Sequence, residues 1–388
     1  MSGPLPLVAV VLTVALLRAA AGEAQSGQDL PRGVIVDDVV SRDDAAQSYA
    51  LYLPSDYTPD RAWNLLLAFH AGARGRAMVE KYRAAGERYG YIIAGSNTSR
   101  NGPADVSAAA VRAMSRDVGR RFTIDAARVY LTGMSGGARV ALGVALGPND
   151  IAGVIASSAG FPDAQPKRSV RFPVVATAGT DDFNYLELRT LDRQLASPHR
   201  LIVFDGGHTL PPDDVALEAI EWLELHAMQT GRRAKDPALV EALFEKRRRS
   251  LAAIGDAAES WRLTQALVTD FRGLRDVAAD ETRAAALAAD PAVKTALARD
   301  RAALDAEARA LDEALRLESR LRDADTRAAS LARLGGMFAE WSREAAAATA
   351  TPARSRARRL LAAVAAGAAE RVADEEYRAL VQRYRWRG

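Results

Sequence analysis

From residue 33 to residue 228, short β-rich apolar runs alternate with segments whose apolar residues recur at helical spacing. The predicted strands are residues 34–40, 48–53, 65–69, 91–95, 129–132, 154–158, 174–178 and 201–204. The predicted helices are residues 82–89, 106–122, 137–146, 185–195 and 213–228. The first two strands are expected to pair antiparallel. The later alternation of strands with helices predicts a mostly parallel sheet that is covered on both faces.

The pattern changes after Thr230-Gly231, where strand-like runs end and Ala, Leu, Arg, Glu and Asp dominate. Helices are predicted at residues 237–254, 258–274, 276–289, 291–322, 326–348 and 352–384. Prolines at 237, 291 and 352 suit the first turn of a helix, whereas Gly335-Gly336 predicts a break. We therefore expect an α/β domain over residues 30–230 and an all-α domain over residues 235–388. The all-α domain is expected to be a hairpin array or bundle, and its role is not legible from sequence.

The N-terminus resembles an export signal. Residues 5–17 are apolar except for Thr13, and Arg18 and a stretch of small residues follow. An apolar core of about 13 residues is too short to span a bilayer but suits a signal peptide. We expect a signal peptide over residues 1–24 and a secreted or periplasmic protein, with an uncleaved, disordered or membrane-tethering leader as the alternative. No other segment is long and apolar enough to cross a membrane.

Charge and cysteine content narrow the chemistry. The 388 residues include 52 Lys and Arg against 49 Asp and Glu, for a net charge of +3, so there is no large positive field to hold nucleic acid. The basic clusters 246–249 and 354–359 lie in acid-rich helical sequence and are interpreted as solvated helix faces. The absence of cysteine excludes disulfides, zinc–thiolate sites and a cysteine nucleophile.

A candidate nucleophile lies in the sequence Val-Tyr-Leu-Thr-Gly-Met-Ser-Gly-Gly-Ala-Arg at residues 129–139. A buried strand leads into this single G-x-S-x-G motif and a helix follows at once, which is the context of a nucleophile elbow. Small residues are needed on both sides because the serine occupies a strained, tight turn. Ser135 is therefore the expected nucleophile, and the Gly136 amide at the helix start is an expected oxyanion donor.

The base and the acid are expected after later strands. Of the four histidines, His208 follows the last strand on a glycine loop, whereas His226 lies mid-helix and His199 lies at the opposite sheet edge. Catalytic groups gather at the carboxyl ends of parallel strands, so His208 is the expected base. The preceding strand ends in Gly-Thr-Asp-Asp, and Asp182 is preferred over Asp181 as the acid, with either able to cap the next helix.

A second oxyanion donor is expected after the strand at residues 65–69. The loop His70-Ala71-Gly72-Ala73 contains small residues whose backbone amides, those of Ala71, Gly72 or Ala73, could face the site. In this interpretation His70 shapes the loop and is not the base.

These segments together resemble the α/β-hydrolase superfamily. Within it they are most similar to polyhydroxybutyrate depolymerases, feruloyl esterases and phospholipase/carboxylesterase-like enzymes. The matching stretches are residues 48–54, 67–72, 129–141, 178–182 and 206–209. The resemblance covers about residues 34–228 and implies an α/β-hydrolase fold, followed here by an all-α region without a counterpart in the family core. It also implies a catalytic triad of Ser135, Asp182 and His208 and neither a metal nor an organic cofactor.

The sequence departs from the family at several points. The usual His-Gly pair is His70-Ala71 here, which leaves the detail of the oxyanion loop open. The short spacings from Ser135 to Asp182 and from Asp182 to His208 leave no room for an inserted lid, so an open, shallow site is expected. The disulfides of many secreted relatives are absent.

The predicted function is hydrolysis of small-molecule or polymer-linked carboxylic esters through an acyl-enzyme on Ser135. Two alternatives remain: a secreted serine peptidase, and a scaffold or binding protein that works through its helical half. The sequence leaves open the acyl and alcohol groups, the oligomeric state and whether the helical region binds a protein partner.

Overall fold

The computed structural model describes residues 30–163 and 169–386. The expected signal peptide at residues 1–24 lies outside the described residues. Within them, no helix has both the length and the apolar character required for a membrane span. The chain divides into two compact units. The first contains the described residues up to Ala178 together with Glu187–Phe204 and Thr209–Ala234, and the second contains Gly179–Leu186, Asp205–His208 and the described residues from Lys235 onward.

Eight strands of the described residues form one sheet. They are β1 Ile35–Val40, β2 Ser48–Tyr52, β3 Trp63–His70, β4 Tyr91–Ser96, β5 Ile124–Met134, β6 Gly153–Ser157, β7 Val174–Gly179 and β8 His199–Phe204. Their order is β1-β2-β4-β3-β5-β6-β7-β8. Strand β2 is antiparallel to β1 and β4, whereas β4, β3, β5, β6 and β7 are mutually parallel.

Strand β8 continues the parallel part of the sheet. At one end of the strand pair, the Val174 amide donates to the Pro198 carbonyl over 3.1 Å. At the other end, the Asp181 amide donates to the Gly206 carbonyl over 2.8 Å. Because both partners advance in the same direction, β7 and β8 are parallel, and the loops after them leave the same edge of the sheet.

Helices cover both faces of this sheet. They are α1 Gly75–Tyr89, α2 Ala104–Arg121, α3 Gly136–Leu146, α4 Tyr185–Gln194 and α5 Asp213–Gln229. Leu66, Tyr130 and Ile155 belong to a core cluster with residues of α1 and α5. Side chains of alternate strand positions, such as Leu67 and Leu131, point to the other face and are equally buried. Burial on both faces explains why the parallel strands are apolar throughout.

The second unit contains eight further helices among the described residues. They are α6 Pro237–Ala252, α7 Ala257–Phe271, α8 Ala278–Ala289, α9 Pro291–Ser319, α10 Ala324–Ala345, α11 Pro352–Ala365, α12 Ala368–Arg371 and α13 Glu375–Tyr384. An N-cap Asp or Thr directly precedes six of these helices, and its side chain accepts a backbone N–H of the first turn; the six are α6, α7, α9, α10, α11 and α13. Phe338, Trp341, Leu360 and Tyr377 lie in the core formed by α9 to α13.

The predicted fold class, an α/β-type mostly parallel sheet followed by an all-α region, is confirmed. Several helix boundaries differ from the prediction. Helix α1 begins at Gly75 and not at residue 82. Helix α10 continues through Gly335-Gly336, because burial of Leu334 and Met337 beside them outweighs the cost of about 1 kcal/mol for each glycine. The predicted helix 352–384 instead ends near Gly367, whose φ of 77° is incompatible with a continuous right-handed helix.

Candidate active site

Ser135 lies on a strained turn between a strand and a helix. Strand β5 ends at Met134 and helix α3 begins at Gly136, and Ser135 between them has φ 56° and ψ −121°. A non-glycine residue rarely adopts a positive φ, and such strain persists only where neighbouring structure enforces it. Here the Ser135 amide donates to the Ser157 carbonyl over 2.8 Å, and the Ser135 carbonyl accepts from the Ala138 amide over 2.9 Å. The sheet on one side and the helix on the other hold the turn.

The glycines of the motif are sterically required. A Cβ atom on Gly133 would lie 2.1 Å from the Gly137 carbonyl oxygen, and one on Gly137 would lie 2.2 Å from the Phe69 carbonyl oxygen. Both contacts are with backbone, so neither can be relieved by a rotamer change. Gly136 differs, since its Cβ would meet the side-chain oxygen of Asn101. The glycines at 133 and 137 therefore allow the elbow to pack against β3.

The amides at the start of α3 favour negative charge beside Ser135. Gly136 and Gly137 occupy the first turn, where backbone N–H groups have no acceptor within the helix. These groups form the positive end of the helix dipole. The Gly136 amide is therefore chemically suited to stabilise an oxyanion, as the sequence predicts.

The loop after β3 is organised by His70. The Gly72 amide donates to His70 Nδ1 over 2.8 Å, and the Ala73 amide donates to the His70 carbonyl over 3.1 Å. The Ala71 carbonyl accepts from the Asn101 amide over 2.8 Å. Because Nδ1 accepts a hydrogen bond, the neutral His70 ring carries its proton on Nε2. Two of the three expected oxyanion donors, the amides of Gly72 and Ala73, thus donate to His70. The third expected oxyanion donor is the amide of Ala71.

The structure brings Asp182 and His208 together. Both belong to the second unit, in the loops that follow β7 and β8. His208 Nδ1 lies 2.8 Å from Asp182 Oδ1, and the Asp182 carboxylate is fully buried. The Phe183 ring stacks on the imidazole with centroids 4.0 Å apart. With Nδ1 donating to the carboxylate, Nε2 is the ring nitrogen that can take a proton.

The neighbouring Asp181 has a different partner. Its Oδ2 atom accepts a hydrogen bond from Arg358 Nη1 over 2.8 Å, and both side chains are mostly buried. Asp182 Oδ1 also accepts from the Asn184 amide over 2.8 Å. The sequence suggested one aspartate for the histidine and the other for the turn into the next helix. Instead, Asp182 does both, and Asp181 forms an ion pair.

His199 and His226 lie in secondary-structure elements and contact backbone carbonyls or an aromatic ring. His199 begins β8, and its ring nitrogens each lie 2.8 Å from a backbone carbonyl, those of Ser197 and Asp192. His226 stacks on Trp222 in α5, with ring centroids 5.6 Å apart, and burial lowers the pKa of His226. In the described part of the chain, no group of three or more His, Asp and Glu side chains is arranged to hold a metal ion.

Comparisons with known proteins add only distant structural likenesses. No protein-family model and no curated protein sequence matches the chain. A thermostable esterase structure is 19% identical, with 49% of this chain and 62% of that chain covered and a TM-score of 0.39. A propionate-bound esterase from Thermogutta terrifontis is 14% identical over 53% of this chain and 98% of that chain, with a TM-score of 0.40. A feruloyl esterase module from Clostridium thermocellum, complexed with sinapinate, is 15% identical, with 45% of this chain and 82% of that chain covered and a TM-score of 0.36.

The architecture itself identifies the fold. A mostly parallel sheet is covered by helices on both faces, and its fifth strand leads through a strained G-x-S-x-G turn into a helix. The first unit has the α/β-hydrolase fold. The predicted resemblance to this superfamily is therefore confirmed at the level of the fold.

Two arginines that were not predicted from the sequence contact the loop after β7. Arg358 pairs with Asp181, and Arg359 Nη1 donates to the Thr180 carbonyl over 2.5 Å. The interpretation of residues 354–359 as a solvated helix face is wrong at both positions, since Arg359 is only 8% exposed. The one available signal was that Arg358-Arg359 directly precede the apolar pair Leu360-Leu361.

Proposed function

We propose that this chain is a serine hydrolase that cleaves carboxylic esters through an acyl-enzyme on Ser135. The observation that carries the proposal is the hydrogen bond from His208 to the fully buried Asp182 carboxylate. A carboxylate in this position fixes the tautomer of the imidazole and stabilises its cation. The strained turn at Ser135 and the parallel strands that precede all three residues give further support.

In the proposed reaction, His208 Nε2 takes the proton of the Ser135 hydroxyl as the Ser135 oxygen attacks the ester carbonyl carbon. The tetrahedral intermediate then collapses, and His208 donates that proton to the departing alkoxide, which leaves as the alcohol. Water attacks the acyl-enzyme with the same base, the acid is released and the hydroxyl of Ser135 is restored. Asp182 accepts the hydrogen bond from His208 Nδ1 and orients the ring.

The oxyanion donors that we propose are the amides of Gly136 and Ala71. Gly136 is suited by its place in the first turn of α3. Ala71 is preferred over Gly72 and Ala73 because the latter two donate to His70. One such donor typically contributes about 10²–10³-fold to kcat. Two adjacent donors from different loops would hold the carbonyl oxygen as its negative charge develops.

The decisive experiment compares Ser135→Ala with the wild-type chain on p-nitrophenyl butyrate. Loss of the nucleophile should lower kcat by at least about 10⁴-fold and abolish labelling by a fluorophosphonate probe. Ser115→Ala is the matched control, because Ser115 is a buried serine in α2 whose hydroxyl has no hydrogen-bond partner among the described residues. Ester hydrolysis or probe labelling that persists unchanged in Ser135→Ala would refute the proposal. If the wild-type chain cleaves aminoacyl anilides faster than esters, it is a peptidase.

We also propose that residues 1–24 direct export. The support is the apolar run at residues 5–17 followed by small residues. N-terminal sequencing of the protein from the periplasm or medium of an expressing bacterium should begin after residue 21 or 24. Retention of the intact N-terminus in the cytoplasm would contradict export.

A further inference from the structure

We infer that α11 supplies two positioning residues, Arg358 and Arg359, which hold the loop that carries the acid Asp182. This inference rests on the proposed function for its catalytic consequence. It assigns a role to part of the helical region, whose purpose the sequence does not reveal. All the contacts that carry it lie within the second unit, to which residues 179–186 and 205–208 belong.

Arg358 holds the loop through an ion pair. Its Nη1 atom donates to Asp181 Oδ2 over 2.8 Å, and each side chain is 16% exposed. Arg358 is itself oriented from two sides. Its Nε atom donates to the Ala345 carbonyl over 3.2 Å, and its guanidinium lies 4.2 Å from the ring centroid of Trp386. A guanidinium fixed in this way resists displacement more than a solvated surface pair does.

Arg359 holds the residues on either side of that ion pair. It donates to the Thr180 carbonyl over 2.5 Å, and its guanidinium lies 4.3 Å from the ring centroid of Tyr185. The other edge of the guanidinium forks onto Glu307 of α9, with N–O distances of 2.7 and 2.5 Å. Glu307 is 2% exposed, so its charge must be paired in place. The arginine is therefore held by α9 while it holds the loop.

These contacts bracket the acid on both sides. Thr180, Asp181 and Tyr185 are held by α11, and Asp182 lies among them in sequence. The loop of the base is tied to the same segment, because the Asp181 amide donates to the Gly206 carbonyl over 2.8 Å and Thr180 Oγ1 lies 3.2 Å from Asp205 Oδ1. Fixing residues 179–186 thus also fixes the loop that presents His208.

The contacts constrain a loop that would otherwise be adaptable. The base loop contains two adjacent glycines, and Gly206 has a φ of 158° that disfavours other residues. A misplacement of about 1 Å at a catalytic group can cost about 10²-fold in rate. Loosening the loop should therefore lower kcat, while substrate binding, which does not use Asp182, should change little.

The test uses the full-length chain and the variants Arg358→Met, Arg358→Lys and Arg359→Met. We expect each Met variant to lower kcat on p-nitrophenyl butyrate by about 10–100-fold, with KM within about threefold. Arg358→Lys keeps a charge opposite Asp181 and should recover part of the loss. Hydrogen exchange measured by mass spectrometry should become at least severalfold faster in peptides covering residues 179–186 and 205–208, but not in β3.

Arg371→Met is the matched control. Arg371 also forks onto a buried glutamate, Glu318 of α9. Its guanidinium additionally donates to the carbonyls of Val364 and Ala366, which lie outside the acid loop. This variant should lower the melting temperature while leaving kcat and exchange in residues 179–186 unchanged. If Arg359→Met does not fold, Arg358→Met and the reciprocal Asp181→Asn still decide the question.

The outcomes separate the inference from the proposed function. Arg358 variants that lose melting temperature as Arg371→Met does, yet keep wild-type kcat and loop exchange, would overturn the positioning role. If the wild-type chain neither hydrolyses esters nor labels with the fluorophosphonate, the proposed function fails. Exchange in residues 179–186 of the arginine variants would then still show whether α11 holds the loop.

Discussion

Replacing Asp182 by Asn removes the negative charge that is hydrogen-bonded to His208 Nδ1 while keeping the shape of the side chain. The buried Asp182 Oδ1 accepts from both His208 Nδ1 and the Asn184 amide at 2.8 Å, and an amide oxygen can accept both bonds. In the proposed mechanism, the substitution removes the attraction between the Asp182 carboxylate and the imidazolium that would form on His208 during acyl transfer. At an effective dielectric constant of about 20, unit charges 2.8 Å apart attract by about 6 kcal/mol. That energy corresponds to about 10⁴-fold in rate.

The assay is kcat for p-nitrophenyl butyrate, measured for Asp182→Asn and Asp181→Asn with circular dichroism as the check on folding. Asp182→Asn should lower kcat by about 10⁴-fold, which is also the size of the loss when the triad Asp of a serine protease is replaced by Asn and the imidazole is held in the wrong tautomer. Asp181→Asn weakens only the ion pair with Arg358 and should lose about tenfold. The electrostatic reasoning is refuted if both variants fold and their kcat values lie within tenfold of each other.

Two further predictions concern stability and are measured by urea unfolding. Gly133→Ala should lower the free energy of unfolding by at least about 2 kcal/mol, because its Cβ would lie 2.1 Å from the Gly137 carbonyl oxygen. The control Gly119→Ala, in α2 with open space around it, should raise the free energy of unfolding by about 0.5–1 kcal/mol. Equal stabilities of the two variants would contradict the steric explanation. Burial lowers the pKa of His226 below its ordinary value of 6.5, so the folded state favours the neutral imidazole. The stability that His226 contributes is therefore fully present above about pH 6.5 and is lost as the pH falls through the lowered pKa. Between pH 7 and pH 5, the free energy of unfolding should therefore fall less for His226→Gln than for the wild-type chain. An equal fall in both proteins would show that His226 does not contribute to the pH dependence of stability.

Local signals in the sequence were sufficient to predict the secondary-structure elements and the tight turn at Ser135. Apolar runs bounded by Gly and Pro predicted every strand of the sheet, with boundaries shifted by a few residues. The G-x-S-x-G motif predicted the elbow because its glycines avoid the close backbone contacts that a side chain would make in any such turn. The first half of α1 was missed, since Gly75 and the polar residues after it carry weak helical periodicity, and packing against β4 decides their conformation.

Tertiary structure alone decided how the two adjacent aspartates and the arginines are used. Asp181 and Asp182 are chemically identical neighbours. The sequence favoured Asp182 as the partner of His208, but no local pattern predicted that Asp181 faces Arg358. Likewise, Arg358 and Arg359 lie more than 170 residues from the loop they contact. Periodicity and capping act over a few residues, so they determine helices, strands and turns. The pairing of buried charges depends on which chain segments meet in space, and only the folded chain settles it.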